Sequence, residues 1–337
     1  MKYASVLVAA VAAVTSLVST ALANAQDIQE RTIRWGHLND PGNPISQGVA
    51  KFAEIVAAKS GDKLKIREFP SSQLGNEMQQ QAALRGGTQE MFTGAPTSLV
   101  GTVKDFGLLD LPFTFSSGEQ ARALVDGPFG KLLFSKLPEK GLVGLAYWDL
   151  GFRNVTNSKH PIAKVDDFGG LKLRVIANPV YIDTFKALGA NPVPMNFAEV
   201  YTALEQKAVD GQENPFAIVL SAKLFEVQKY LSITNHTYTT NIVLMSKKFW
   251  DKLSPTEQKI LQQAAAESLE YQRQFSRSYS EKALEQLKTN GMQVNEVSQP
   301  ERERMQKETR SVTEKILAQY DPELVKSFQN ELEQFGK

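Results

Sequence analysis

Arg174 stands in the segment Gly170-Leu-Lys-Leu-Arg-Val175, where Leu171, Leu173 and Val175 alternate with charged residues. In a strand those three apolar residues share one face, and Arg174 looks the other way. A guanidinium is a rigid planar fork that matches a carboxylate with two charge-assisted hydrogen bonds. The pattern therefore admits an anion site in a cleft. It also leaves open a solvated strand face or a structural ion pair. Asn214 precedes Pro215, which reads as a helix N-cap followed by proline in the first turn. A helix N-terminus is also a favourable place for an anion. Signatures of catalysis are missing: there is no G-x-S-x-G elbow, Walker A loop or G-x-G-x-x-G fingerprint. His37, His160 and His236 are far apart and fall in no metal-binding spacing, so neither a metal nor another cofactor is expected. No pair of acidic residues stands out as a general acid and base.

The 337 residues suffice for two modest domains with sizeable cores. Lys+Arg is 38 and Asp+Glu is 37, so no bulk charge draws nucleic acid or an acidic membrane. There is no cysteine, which removes disulfides, thiolate metal sites and cysteine nucleophiles together. The N-terminus carries Lys2, an apolar and small-residue run from Tyr3 to Leu22, and Ala21-Leu-Ala-Asn-Ala25. This reads as a secretory signal peptide over residues 1–25, cut after Ala25, with Ala23 as a second small-x-small position. Thr15, Ser16, Ser19 and Thr20 make the run too polar for a good anchor. Export to the periplasm is the expectation.

Strands and helices alternate after that segment. Thr32–Leu38 and Leu64–Phe69 alternate apolar and polar residues, as strands do, and Ile45, Val49, Phe52, Ile55 and Val56 recur between them at helical spacing. Asn76–Arg85 is a second helix, Met91–Ala95 a short strand and Gly141–Leu150 a buried strand. Ser117-x-x-Gln120 and Asn196-x-x-Glu199 read as capping boxes. Leu231–Ser246 looks extended. Ser254-Pro-Thr-Glu257 is a strong helix start with no stop before Asn290-Gly291, so a continuous helix of about 50 Å is expected, long enough to lie across two domains. The alternation means an α/β architecture with mostly parallel sheets.

Three segments are distinctive together: Gly170–Val175, then Pro194-Met195-x-Phe197-x-Glu199-Val200-Tyr201-x-Ala203-Leu204, then Ala208-Val-Asp-Gly-Gln-Glu-Asn-Pro215. Phe69-Pro-Ser-Ser-Gln-Leu-Gly75, Leu111-Pro112-Phe113, Phe225–Tyr230 and Thr234-Asn-His236 accompany them. The set closely resembles the substrate-binding subunit of the tripartite ATP-independent periplasmic (TRAP) transporters, the DctP family, over essentially the whole chain after residue 25. The resemblance implies a two-domain periplasmic-binding-protein (Venus flytrap) fold with hinge strands and a long bracing C-terminal helix. It places domain I at 26–151 plus 240–279 and domain II at 152–239 plus 280–337. It implies a monomer that binds a small organic acid, does no chemistry, and delivers its cargo to one large and one small membrane subunit.

The family's signature arginine, which makes a two-point salt bridge with the substrate carboxylate, falls on Arg174. Asn214 and Arg153 match groups that assist it, and Phe197 matches an aromatic that packs on the substrate, although a core role fits it as well. In domain I the candidates are His37, Asn39, Glu77, Phe92 and Thr93, with Trp148 and Tyr238 near the hinges. Each has a plainer reading: Trp148 as core, Glu77 as a first-turn helix charge, His37 as a strand-end surface residue. Sialic-acid-binding relatives offer polar groups where this chain has Leu38, Ala95 and Ala177, which argues against that ligand. A sugar acid is favoured. A C4-dicarboxylate stays open, and so does an aromatic or branched 2-oxo acid if Phe92, Phe152, Phe197 and Phe216 make the cleft apolar. Outside transport, the rivals are a periplasmic enzyme acting on carboxylates and a ligand sensor.

Overall fold

The computed structural model describes residues 27–335, so the expected signal segment and its cleavage site lie outside the described residues. Strand β1 (Arg31–His37), helix α1 (Pro44–Ser60) and strand β2 (Leu64–Phe69) form a parallel strand–helix–strand unit, with Arg31 beside Leu64. The Asn43 side chain accepts from the Ile45 N–H to start α1, and Gly61 at φ 60° ends it. Helix α2 (Glu77–Gly86) opens on a complete capping box between Asn76 and Gln79. Strand β3 (Met91–Gly94) then pairs in parallel with the other edge of β1.

After helices α3 (Gly118–Asp126) and α4 (Pro128–Ser135) comes β4 (Leu142–Asn157), much longer than its neighbours. The second half follows: β5 (Lys172–Val175), α5 (Pro179–Ala187), β6 (Asn191–Pro194), α6 (Val200–Glu205), β7 (Gly211–Asn214) and α7 (Phe216–Ser221). Strand β8 (Tyr230–Ser246) returns antiparallel along the whole of β4. The strand order is β2-β1-β3-β8-β4-β7-β5-β6, with β9 (Gln293–Glu296) added to β8. Strand β3 pairs with Ile242–Met245 near one end of this ribbon, whereas β7 pairs with Asn154–Asn157 at the other. Two groups of short strands thus share one pair of long ones. The ladder between the long strands slips three times, between Gly144 and Ala146, between Asp149 and Gly151, and between Arg153 and Val155. Gly151 there has φ 109° and open space where a Cβ would sit. Such bulges bend a strand and raise its twist.

Helices α8 (Lys247–Trp250) and α9 (Pro255–Thr289) follow β8. Ser254 and Glu257 make the expected reciprocal capping box, and the buried Glu257 carboxylate also accepts from Arg31 Nε and the Gln29 N–H, both at 2.9 Å. Helix α9 runs unbroken through Ser276–Ser280 for 35 residues, about 52 Å at 1.5 Å per residue. Ile260, Leu261, Ala264 and Ala265 pack with Trp35, Val49 and Phe52 on the first half, and Leu287 packs with Val219 and Leu231 on the second. At mid-length Gln272 exchanges two 2.8 Å hydrogen bonds with the backbone of Asp149, just before the slip at Gly151.

Three expectations need correction. The Gln120 side chain accepts from the Ser116 N–H instead of Ser117's, so only half of that capping box forms. Asn196 donates to the Glu199 carboxylate at 3.1 Å; the two side chains satisfy each other, a 3-10 turn occupies 197–199, and α6 begins after it. The expected block 280–337 does not, over its described residues up to 335, pack as one unit on the second half. After α10 (Gln299–Glu308) and α11 (Arg310–Leu317), helix α12 (Pro322–Phe335) lays Leu324 and Phe328 against α3 and α4, because those two helices leave an apolar surface that only an amphipathic helix can cover.

Phe328 is 2% exposed and its ring centroid lies 5.2 Å from that of Phe129. Phe328→Ala should therefore lower stability by about 3–5 kcal/mol, seen in urea titration as a lower midpoint with an unchanged slope.

Candidate functional site

The parallel strands of both halves point their C-terminal ends at one place, where open α/β sheets place their ligands. From the first half come Leu38 and Asn39 after β1, Thr93, Gly94 and Ala95 at the end of β3, and Glu77 at the start of α2. From the second come Arg174 on β5, Ile176 after it, and Asn214 at the end of β7. Leu150, Arg153 and Asn241 of the long strands form the floor, and Phe197 and Ile218 complete the walls. The cavity is small, about 60 Å³.

Its two arginines are in opposite electrostatic states. Arg153 is paired: Nη2 lies 2.8 Å from Glu213 Oε1, 2.6 Å from the Glu213 carbonyl and 3.2 Å from Asn214 Oδ1, Nε bonds Glu213 Oε2, Nη1 reaches only Thr239 Oγ1 at 3.4 Å, and the guanidinium sits 5.5 Å over the Tyr181 ring. Burial opposes charging it, but the Glu213 carboxylate more than offsets this and holds its pKa above the ordinary value. Glu213 is driven upward by burial, then pulled down to about 2, chiefly by Arg153 and also by His236. His236 lies 3.0 Å from Glu213 Oε2 through Nε2 and 2.8 Å from Thr234 Oγ1 through Nδ1. Burial lowers its pKa. The neutral ring donates from Nε2 to the carboxylate and accepts at Nδ1 from the threonine hydroxyl.

Arg174 is 3% exposed, yet it bonds only the Met195 carbonyl, from Nε at 3.0 Å and Nη2 at 2.7 Å. Among the described residues no carboxylate lies within ion-pair distance of it. Burial pulls its pKa down to about 10, Arg153 adds repulsion, and Glu213 and Glu77 counter only in part. A desolvated cation without a partner is strongly unfavourable, and an incoming carboxylate relieves it.

Seven predicted site residues meet in this cavity: Arg174, Arg153, Asn214, Phe197, Asn39, Glu77 and Thr93. Four do not, each for a reason of strand geometry. His37 is buried and turned to Glu68 on the neighbouring strand, with Nε2 2.8 Å from Oε1. Phe92 points into the core on the face of β3 opposite Thr93. Trp148 stacks on Trp35 at 5.5 Å in the core. Tyr238 packs edge-on against its cross-strand partner Phe152 at 5.0 Å and lines a separate space with Arg122 and Asp149. Phe152 and Phe216 line that other space too, so Phe197 alone of the four phenylalanines faces the cavity.

Several functional groups were not foreseen. Glu213 and His236 lay inside recognised motifs, and the signal for Glu213 was an acid in a short strand beside an arginine-bearing one. Asn241 interrupts the apolar end of β8. Asp110, 5% exposed, bonds Thr97 Oγ1 of its own half and Asn178 Nδ2 across the cleft at 3.3 Å. Burial raises its pKa to about 7.

Comparison with known proteins gives one family. A family model described as bacterial extracellular solute-binding protein, family 7, matches residues 35–320. A crystal structure of the sugar acid binding protein DctPAm from Advenella mimigardefordensis, in complex with galactonate, superposes with a TM-score of 0.89 at 42% identity, over 91% of this chain and 99% of that one. The 2,3-diketo-L-gulonate-binding periplasmic protein YiaO of Escherichia coli is 38% identical over 271 residues, 80% of this chain and 83% of its own. The C4-dicarboxylate-binding periplasmic protein DctP of Rhodobacter capsulatus is 36% identical over 261 residues, 77% of this chain and 78% of its own.

The raised pKa of Asp110 makes a pH prediction. Its folded-state value of about 7 exceeds the ordinary 3.8, so folding favours the protonated acid, and the stability this contributes is lost as pH rises from about 4 to about 7. Asp110→Asn should flatten that window and be the more stable protein at pH 8 by roughly a few kcal/mol, measured by denaturant titration across pH.

Proposed function

The chain belongs to the family 7 bacterial extracellular solute-binding proteins, the substrate-binding subunits of TRAP transporters, which bind small organic acids and are not enzymes, and from that membership we infer that it captures a polyhydroxylated monocarboxylate, a sugar acid, on Arg174. The observation that carries the reading is the buried Arg174 guanidinium with free donors and no carboxylate of its own. The substrate carboxylate takes those donors as a two-point pair. Asn214 stands beside it with its amide held by Gln212 and Arg153. Arg153, already neutralised by Glu213, acts as a fixed donor framework and not as a second anion subsite.

The opposite wall favours hydroxyls over a second carboxylate. Asn39, Thr93, Asn241 and Glu77 face the cavity, a set that donates to and accepts from hydroxyl groups. Of the lining residues only Arg153 and Arg174 are cationic, so a C4-dicarboxylate finds no partner for its far end and meets Glu77 instead. A single aromatic wall, Phe197, gives little for an aromatic acid.

In this reading the bend in β4 and β8 at Leu150–Arg153 and Thr237–Thr240 is the hinge, with domain I over 26–151 and 240–279 and domain II over 152–239 and from 280 up to helix α12. The acid docks on Arg174 in domain II, and domain I closes over its far end. Closure removes water and strengthens each polar contact. The chain is exported to the periplasm by its N-terminal segment and hands its cargo to the two membrane subunits.

Arg174→Ala should weaken galactonate or erythronate binding by about 2–5 kcal/mol in calorimetry, while the ligand-free variant melts no lower than the wild type, because it has lost an unpaired buried charge. Unchanged affinity would overturn the mechanism. Succinate raising the wild-type melting temperature more than any sugar acid would overturn the ligand class.

A further inference from the structure

The carboxylate reading has a spatial consequence. The inner cavity is small, about 60 Å³. A second space of about 240 Å³ adjoins it. Leu38 and Phe197 line both, so these two side chains form the partition. Leu38 follows β1 in the first half, and Phe197 precedes α6 in the second. The partition is therefore assembled only when the halves meet.

The outer space is lined by polar groups at one side, Asp40, Ser71 and Ser72, and by Val200, Tyr201 and Leu224 at the other. Ser71 and Ser72 both adopt left-handed backbone conformations, at φ 50° and 61°. Two consecutive residues with side chains rarely do so, and such conformations persist where the surroundings impose them, often against a ligand. Here the imposing contacts are explicit. The Ser71 N–H donates to the Asn39 carbonyl at 2.9 Å, the Ser72 N–H to the His37 carbonyl at 3.1 Å, and Ser71 Oγ to Asp40 Oδ1 at 2.6 Å. The turn is thereby tied to the end of β1, and Asn39, which lines the inner cavity, is one of its anchors.

We propose that the outer space is the subsite for the distal hydroxyls of a linear sugar acid, and that Leu38 with Phe197 is a gate that sets how long that acid can be. This rests on docking of the carboxylate at Arg174. A short acid is contained by the inner cavity. A longer one sends its chain between Leu38 and Phe197, and its last hydroxyls meet Asp40 and the serine turn. Leu38 then discriminates by bulk, and Asp40 by accepting hydrogen bonds.

The test is a calorimetric series of glycerate, erythronate and galactonate against the wild type, Leu38→Ala and Asp40→Ala, each variant first shown by its melting curve to be folded. Leu38→Ala should shift the galactonate-to-glycerate affinity ratio toward galactonate by about tenfold, the discrimination expected of a few methyl groups in a pocket. Asp40→Ala should weaken galactonate by about tenfold and leave glycerate within about twofold, as loss of a hydrogen bond to a charged acceptor predicts. If the acids bind and depend on Arg174, yet neither variant changes the ratio, the gate is wrong and the carboxylate reading stands. If no acid in the series binds the wild type, both fall.

Discussion

A guanidinium out of water is stable only when its charge and its donors are met, and this protein holds two of them at the bottom of one cleft. The charge of Arg153 is met by Glu213, and most of its donors by that carboxylate, a backbone carbonyl and Asn214. Arg174 has only the Met195 carbonyl. The difference decides what the site can do. A cleft with both arginines paired would be a structural core, and one with both unpaired would strongly oppose folding. With one of each, the paired arginine ties β4 to the end of β7, and the unpaired one keeps donors that no carboxylate of the described residues takes. In the proposed function, the unfavourable burial of Arg174 is the counterpart of the free energy gained when a carboxylate binds.

The two long strands make this arrangement compatible with movement. The two groups of short strands are joined to each other through β4 and β8, so the halves are linked by continuous ladders and not by loose loops. Continuous ladders resist sliding and permit bending, and the register slip beside Gly151 is where the proposed hinge places that bending. The Gln272 amide fixes the long helix to Asp149 at that point. The helix thus follows the ribbon at mid-length, while its ends pack in the cores of different halves.

Much of this was legible in the sequence, and the limits are instructive. Alternation along Gly170–Val175 put Arg174 on the correct face because a buried parallel strand has little choice about its apolar side. The Ser254–Glu257 box fixed the start of α9 because both of its hydrogen bonds are local. Asn196-x-x-Glu199 has the same spacing and failed, since the two side chains bond each other before either reaches the backbone. Pattern gives the opportunity for a cap, and the competing partner decides. Resemblance placed seven residues in the cavity and misplaced His37, Phe92, Trp148 and Tyr238, all on strands whose alternate faces serve different spaces. A neighbouring position on such a strand points to the wrong side, so an assignment one residue out is fully wrong. The position of α12 was hidden for another reason. Its amphipathic pattern says that it covers something, whereas only the tertiary fold says that the surface belongs to α3 and α4.

The hydrogen bonds around Glu213 bear on why the site stays open. A carboxylate this close could leave Arg153 for Arg174 and occupy the place proposed for the substrate, since Glu213 already acts on Arg174 through its field. Its own contacts oppose that exchange. Oε1 is held by Arg153 Nη2, and Oε2 by both Arg153 Nε and His236 Nε2, with the imidazole oriented in turn by Thr234. Turning toward Arg174 would break three hydrogen bonds and leave a buried cation and a buried imidazole donor unmet, a penalty of several kcal/mol for the charged group alone. Burial also keeps His236 neutral, so it supplies one directed donor without adding a positive charge beside the two arginines. The histidine and its threonine touch no ligand, yet by fixing the internal anion on one arginine they leave the other for an anion from outside.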